Sequence, residues 1–198
     1  MKMKNRIFIF LFSFVMLSCQ ESEEADEYGN WQTRCEAYID SIAAVARANA
    51  DGQGRVIRSF NLAEKDVNGV TATWANDDYV YCHVRQSGSG TTLPLFTDTV
   101  RVNYRGRLIP TAGHPEGYIF DQSYKGEVNP AFNKPTSFEV GSLTEGFCTA
   151  VQHMHVGDIW RVYIPASLAY GSSDRSSSGI PPYSTLIFDI NLVGIVSP

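Results

Sequence analysis

The chain carries a carboxylate, Asp121 in "YIFDQS", and two phenols, Tyr104 and Tyr170, within a stretch dense in aromatic rings. Those rings are Phe120, Phe138, Phe147, Trp160, Tyr163, Tyr183 and Phe188. Many rings and few polar groups are the makings of a site that holds an apolar ligand and orients it, because ligand pockets are mostly apolar with a few placed donors and acceptors. Phe120 and Asp121 are neighbours, and in a regular strand neighbours point to opposite faces. Both serve one pocket only where the backbone bends, through a bulge or at a strand end. The turn residues of "GHPEGYIFDQSYKGE" allow such a bend. From spacing alone, Asp121 also fits an ordinary turn-capping carboxylate.

Other chemistries are poorly supplied. His153 and His155 in "HMH" straddle the end of a helical segment with no third ligand close in sequence, so no metal site is expected. Cys148 lies near a helix N-terminus, which can acidify a thiol, but no base accompanies it. It reads as a small buried residue. The serine run "YGSSDRSSSG" lacks the nucleophile-elbow pattern. "GQG" and "GSG" do not sit between a strand and a helix with full glycine spacing, so they are turns rather than phosphate loops. No cofactor is implied.

The elements that position these groups follow from periodicity. From Thr99 onward the period is two: Val100, Val102, Tyr104 and Leu108 face one way, Arg101, Asn103, Arg105 and Arg107 the other. The alternation returns at Phe138 and Val140, at Trp160, Val162 and Ile164, and at Leu186, Phe188, Ile190 and Leu192. This predicts an antiparallel sheet of four to six strands with one buried and one wet face. Phe147, Ala150, Val151 and Met154 fall at helical spacing in "EGFCTAVQHMHVGD". One short helix across the sheet completes a core, so the C-terminal hundred residues form an α+β domain. Upstream, Trp31, Cys35, Tyr38, Ile39, Ile42, Val45 and Ala46 mark an amphipathic helix that ends at "NADGQG". Its stripe either packs on its own domain or pairs with a second copy, a homodimer through residues 31–49. Residues 55–98 supply one or two strands, one of them around Tyr79 to Arg85.

The N-terminus is read apart from the fold. Lys2, Lys4 and Arg6 precede an eleven-residue apolar core, Ile7 to Leu17, interrupted only by Ser13. A spanning helix needs about 20, so this is a secretory signal. It ends in "MLSC" and resembles a bacterial lipoprotein signal, with residues 1–18 removed and Cys19 lipidated as a membrane anchor; cleavage without a lipid is the plainer alternative. The acidic "QESEEADEY" continues as a tether over residues 19–30. It resembles the surface-export signal of Bacteroidetes lipoproteins, and a plain solvated spacer is the alternative. The expected location is the cell envelope: outer membrane, periplasmic or surface-exposed. A net charge of −5 with no basic block argues against nucleic acid as a partner. In an oxidising compartment one pair among Cys35, Cys82 and Cys148 could bridge, and spacing does not choose it.

Six motifs, "VRVNYRGRL", "FDQS", "FEVG", "GFCTAVQHMHVGD", "RVYIPASLAYG" and "GIPPYSTLIFDINLV", stand in the order and spacing of FKBP-type peptidyl-prolyl cis/trans isomerases. The resemblance covers roughly Thr99 to Ile195, within an isomerase domain of residues 99–196; residues 31–54 would carry the N-terminal helix. It implies a twisted antiparallel sheet wrapped around one short helix, an aromatic pocket for a proline ring, and a flap formed by the serine run. It places the pocket on Tyr104, Phe120, Asp121, Leu143, Thr144, Phe147, Tyr170, Ile180 and Phe188. Asp121, Tyr170 and Phe147 would act on the amide, and the others would bind substrate. Phe147 stands where many members have Trp, Thr144 where Ile or Val is usual, and Thr136 where an aromatic is common. The loop "IPTAGHPEGYI" is longer than usual. The implied substrates are X-Pro segments of unfolded or flexible envelope proteins. The rival readings are a non-catalytic proline-peptide-binding module and a dimeric envelope chaperone.

Overall fold

The structure, a computed structural model, describes residues 26–62, 66–67, 70–71, 74–129 and 132–198. Cys19, the signal segment and the tether up to residue 25 lie outside the described residues.

Helix α1 spans Trp31–Ala48 and stops where Asn49 turns left-handed, donating its backbone N–H to the Val45 carbonyl at 3.1 Å. The Asn49 side chain then accepts from the Gly54 N–H at 2.7 Å, turning the chain into β1, Gly54–Arg58. The short strands β2 (Asp66–Val67) and β3 (Val70–Thr71) pair only with each other. They are followed by β4 (Tyr79–Gln86), β5 (Thr99–Arg107), β6 (Ile119–Gln122), β7 (Thr136–Glu139), α2 (Glu145–Val151), β8 (Ile159–Ile164) and β9 (Leu186–Val196). The main sheet is antiparallel, in the order β1-β4-β8-β9-β5-β6, and β7 pairs with the other half of the same β5 edge. It has seven strands, against the four to six expected, because β1 and β4 from before Thr99 join it.

The inner face of this sheet and α2 form the core. Val100 and Val102 of β5, Trp160, Val162 and Ile164 of β8, and Phe188, Ile190 and Leu192 of β9 pack with Phe147, Ala150 and Val151 of α2. The outer face is not simply wet, which corrects the expectation for β5. Asn103 is fully buried and Arg107 is 8% exposed. Asp189 of β9 explains the second: its carboxylate takes hydrogen bonds from Arg107 Nη2 at 2.6 Å and from Arg161 Nε and Nη2 at 2.7 and 2.8 Å. Asn103 donates to Asn191 Oδ1 at 3.2 Å, and Asn191 donates to the Asp158 carbonyl. Each of these side chains has at least one hydrogen-bond partner, as buried polar groups generally do, while Asn103 Oδ1 and Arg107 Nε have none among the described residues; together they form a layer under the outer surface.

Helix α1 covers part of that outer face. Its buried row is Trp31, Cys35, Ile39 and Ala43, set at every fourth residue. Tyr38, Ile42 and Ala46 flank the row half-buried or at its edge, while Val45 is 70% exposed and leaves the expected stripe. Ile39 and Ala43 pack on Tyr81 of β4, and Tyr38 approaches Tyr163 of β8 with ring centroids 6.3 Å apart. Two hydrogen bonds fasten the helix start to the entry of β9: Trp31 Nε1 donates to Ser184 Oγ at 2.9 Å, and Thr185 Oγ1 to the Cys35 carbonyl at 3.2 Å. Tyr81 faces α1 while Val80, Cys82 and Val84 face the core, so β4 is apolar on both sides. A strand buried on two faces shows a continuous apolar run rather than alternation.

Cys35, Cys82 and Cys148 are free thiols, each at most 2% exposed, so the disulfide considered from the sequence is not formed. Burial pushes the Cys35 and Cys148 thiols up to about 11, Glu145 adding to the effect at Cys148, and burial raises Cys82 as well. The thiolate is the reactive form. In a chain beginning at Gln20, none of the three is expected to react with a disulfide reagent at pH 8 until the protein is denatured; a fast-reacting thiol in the native state would contradict this burial.

Candidate functional site

The aromatic groups gather on the inner face, at the end of the sheet where β5, β6 and β9 meet. Gly106 pairs with Phe188 of β9 on one side and with Asp121 of β6 on the other. The β5–β6 register slips between Gly106 and Arg107, where Arg107 pairs with Ile119, so Phe120 is left without an opposite residue. That irregularity is the bend the sequence required. A bulge re-aims the side chains around it, and here it turns Phe120 onto Phe188 while leaving Asp121 beside Tyr104.

The rings meet edge to face. Phe120 and Phe188 have centroids 5.6 Å apart, Phe147 and Phe188 5.0 Å, and Tyr104 and Phe138 5.6 Å. Gly106 makes room for two of them: a Cβ there would lie 2.6 Å from atoms of both Phe120 and Phe188. Gly106→Ala is therefore expected to push the two rings apart, cost about 1–3 kcal/mol of stability as an overpacking change, and lower activity. Thermal unfolding together with an isomerisation assay reads both; a variant equal to wild type in each would refute this account of the glycine.

The polar groups lie at the rim. Tyr104 Oη donates to Asp121 Oδ2 at 2.7 Å. Desolvation and this hydrogen bond to a carboxylate push the Tyr104 phenol well above its ordinary range, so it stays protonated. Leu143 and Thr144 lead into α2, where the Thr144 carbonyl accepts from the Cys148 N–H at 2.9 Å. Phe147, one turn into α2, is 5% exposed beneath the rings. Tyr170 opens the serine run. The Arg175 guanidinium sits over its ring, 5.0 Å from the centroid, and a backbone bridge joins Arg175 to Ile180, whose N–H donates to the Arg175 carbonyl at 3.1 Å. The run is thus a closed loop with a 3-10 turn at Ser176–Ser178, and it delivers Ile180, 5% exposed, into the same core cluster as Phe147 and Phe188.

Of the residues named from the sequence, Tyr104, Phe120, Leu143, Phe147, Tyr170, Ile180 and Phe188 lie in or against this core cluster, Thr144 stands at the entry to α2, and Asp121 is joined to it through Tyr104; Cys19 lies outside the described residues. Three contributors were missed. Gly106 was legible as a glycine interrupting the alternation of "VNYRGR", since a glycine inside a strand marks close approach of another group. Arg175 and Tyr118, whose ring lies against Gly179 of the loop, carry no local sequence signal. The two histidines are held locally: His153 Nδ1 is 2.9 Å from the Thr149 carbonyl, and His155 lies 4.0 Å from Asp158.

The family model of the FKBP-type peptidyl-prolyl cis-trans isomerases matches residues 90–193. The chain belongs to this family. Among curated relatives, this FKBP-type chain is 37% identical over 139 residues to the peptidyl-prolyl cis-trans isomerase Mip of Coxiella burnetii, covering 70% of this chain and 53% of that protein. It is 32% identical over 180 residues to FkpA of Escherichia coli, covering 90% of this chain and 58% of FkpA. It spans about half the length of the first of these. A solved peptidyl-prolyl cis-trans isomerase from Pseudomonas syringae superposes with a TM-score of 0.50 at 27% identity, over 80% of this chain and 96% of that one. The FKBP domains of wheat FKBP73 share the fold, with a TM-score of 0.52 at 24% identity over 73% of this chain and 52% of that one. The FKBP-like class expected from the sequence, an antiparallel sheet with one short helix and an N-terminal helix, is the observed one.

Proposed function

We propose that this protein accelerates cis/trans rotation of X-Pro bonds in exported proteins. The observation that carries the reading is the ring cluster of Phe120, Phe147 and Phe188 with the hydrogen-bonded Tyr104–Asp121 pair at its rim. Rotation needs no nucleophile, proton transfer or metal. Its barrier of about 18–20 kcal/mol is amide resonance, and uncatalysed exchange takes tens to hundreds of seconds. A pocket that binds the twisted amide better than either planar isomer lowers that barrier. The rings hold the pyrrolidine and keep water from the amide. The Thr144 backbone N–H and the Tyr170 hydroxyl hold flanking carbonyls, and Asp121 polarises the bound peptide without transferring a proton.

The lipoprotein-like signal ending at Cys19 supports an envelope location with a lipid anchor, and with it clients that are envelope proteins with unfolded or flexible X-Pro segments. Helix α1 commits the row Trp31, Cys35, Ile39 and Ala43 to its own sheet, which favours the isomerase over a chaperone dimer built on residues 31–49. Such a dimer would have to use the remainder of the helix.

The test is a protease-coupled isomerisation assay on the chain from Gln20, run with several residues before proline. Asp121→Ala and Tyr170→Phe are each expected to lower kcat/KM about two- to tenfold, as fits the loss of one polar contact of about 0.5–1.5 kcal/mol. A folded wild type that turns over none of the peptides would leave the binding-module reading in its place.

A further inference from the structure

Beside the flap loop runs a second concavity, outside the ring cluster. It has a volume of about 450 Å³ and lies between α1, the turn Asn76–Asp78 and the segment that follows β8. Ile39 forms part of its floor, Glu36, Asp40 and Asp77 stand along its sides, and Gly171 and Tyr183 close one end. Among the described residues no lysine, arginine or histidine lines it. None of its three carboxylates makes an ion pair there: Glu36 accepts from Gln32 Nε2 at 2.8 Å and Asp40 from Asn76 Nδ2 at 2.7 Å. Arg47 reaches the Asn76 side chain but stays outside the lining.

The closed end joins this groove to the candidate catalytic site. Gly171 directly follows Tyr170, and its backbone is tied on both sides, donating to the Ala166 carbonyl at 2.8 Å and accepting from the Tyr183 N–H at 2.8 Å. Tyr183 holds a left-handed backbone with φ of 61° and is 40% exposed. A bulky residue in that region is strained, and strain of this kind persists where the surroundings enforce it. Tyr170, assigned to the aromatic pocket, and Gly171, which lines the groove, are consecutive residues, so the two sites adjoin along the backbone. The chain's own tether, "QESEEADEY", is acidic and is repelled by the same carboxylates, so the occupant is another chain.

We propose that this groove docks a basic, extended stretch of the same client whose X-Pro bond enters the aromatic pocket. The proposal rests on the isomerase reading and names the clients it favours: those with lysine or arginine a few residues from the proline. Complementary charge along a groove raises local substrate concentration and discriminates among partners.

The probes are fluorescent Ala-Pro-Phe peptides, each bearing a Lys-Ser-Lys, Glu-Ser-Glu or Ser-Ser-Ser tail before or after the core. Affinity is read by anisotropy and turnover by the isomerisation assay, at low and at physiological salt. The lysine tail on one side is expected to bind about three- to tenfold tighter than the serine tail, as befits exposed charge contacts, and the glutamate tail more weakly. Glu36→Gln with Asp40→Asn is expected to remove most of that gain, and Glu36→Lys with Asp40→Lys, which turns the groove net basic, to invert the order. Both sites are exposed on α1, and folding is checked by thermal melting. Glu127→Lys, away from the groove, controls for net charge. Equal binding of lysine and serine tails, or a lysine preference that survives in the double variant, overturns the proposal. The untailed peptide separates the two readings: if it is not turned over, the isomerase reading falls while the tail affinities still decide the groove.

Discussion

Phe147→Ala is expected to lower kcat/KM for X-Pro isomerisation about 10- to 100-fold, more than any polar substitution in the site. The Phe147 ring lies 5.0 Å from Phe188, 5% exposed, beneath the place a proline would occupy. Burying an aromatic of this size contributes about 1.5–3 kcal/mol, and each 1.36 kcal/mol is tenfold in rate. The same truncation is expected to cost about 3–5 kcal/mol of stability, so rates must be normalised to folded protein. Phe147→Leu separates the effects: it keeps much of the volume and most of the stability but removes the flat face. Activity that falls with Leu nearly as far as with Ala assigns the role to the ring. Activity of folded Ala and Leu variants equal to wild type would remove Phe147 from the pocket.

The second large effect is on stability. Asp189→Asn leaves Arg107 and Arg161 without their shared carboxylate, and Arg107 has only 9% of its side chain exposed. Removing one member of a buried ion pair typically costs about 3–5 kcal/mol. Burial alone would raise the Asp189 carboxyl, but the hydrogen bonds from Arg161 and the charges of Arg161, Arg107 and Arg85 outweigh it and hold the group below its usual range. A depressed carboxyl contributes stability that is complete above its unfolded value of about 3.9 and is lost as pH falls through the lower folded value. Wild-type Tm is therefore expected to fall as pH drops below about 4, and the Asn variant, already destabilised at pH 7, to fall less over that interval. Parallel Tm curves for the two proteins would show that Asp189 does not carry this acid sensitivity.

Much of the fold could be read because β5, β7, β8 and β9 alternate. Val100 and Val102, Trp160 and Val162, and Phe188 and Ile190 all point inward as their period of two requires. What alternation could not show is that a strand's polar face is also buried. Arg107 and Asn103 look solvated in sequence because their partners, Asp189 and Asn191, are more than eighty residues away. The strand around Tyr79 to Arg85 was legible and is β4, but the burial of both its faces, one of them under α1, was not. In the site, the need for a bend at Phe120 and Asp121 followed from strand geometry, and the register slip at Gly106 supplies it. The placement of Arg175 on Tyr170 depends on how a loop closes, which residue types in a serine-rich run do not encode.

The position of β9 bears on how the protein is made. Leu186–Val196 lies between β8 and β5, the two halves of the sheet touch each other through it, and it follows every other described strand in the chain. During synthesis from the N-terminus, β5 with β6 and β7, and β1 with β4 and β8, can form only as separate fragments whose apolar faces lack a common core. Completion waits for long-range pairing, such as Thr99 with Val196, which is slow because the loop it closes is long. The two half-sheets therefore cannot share their core before β9 has been synthesised.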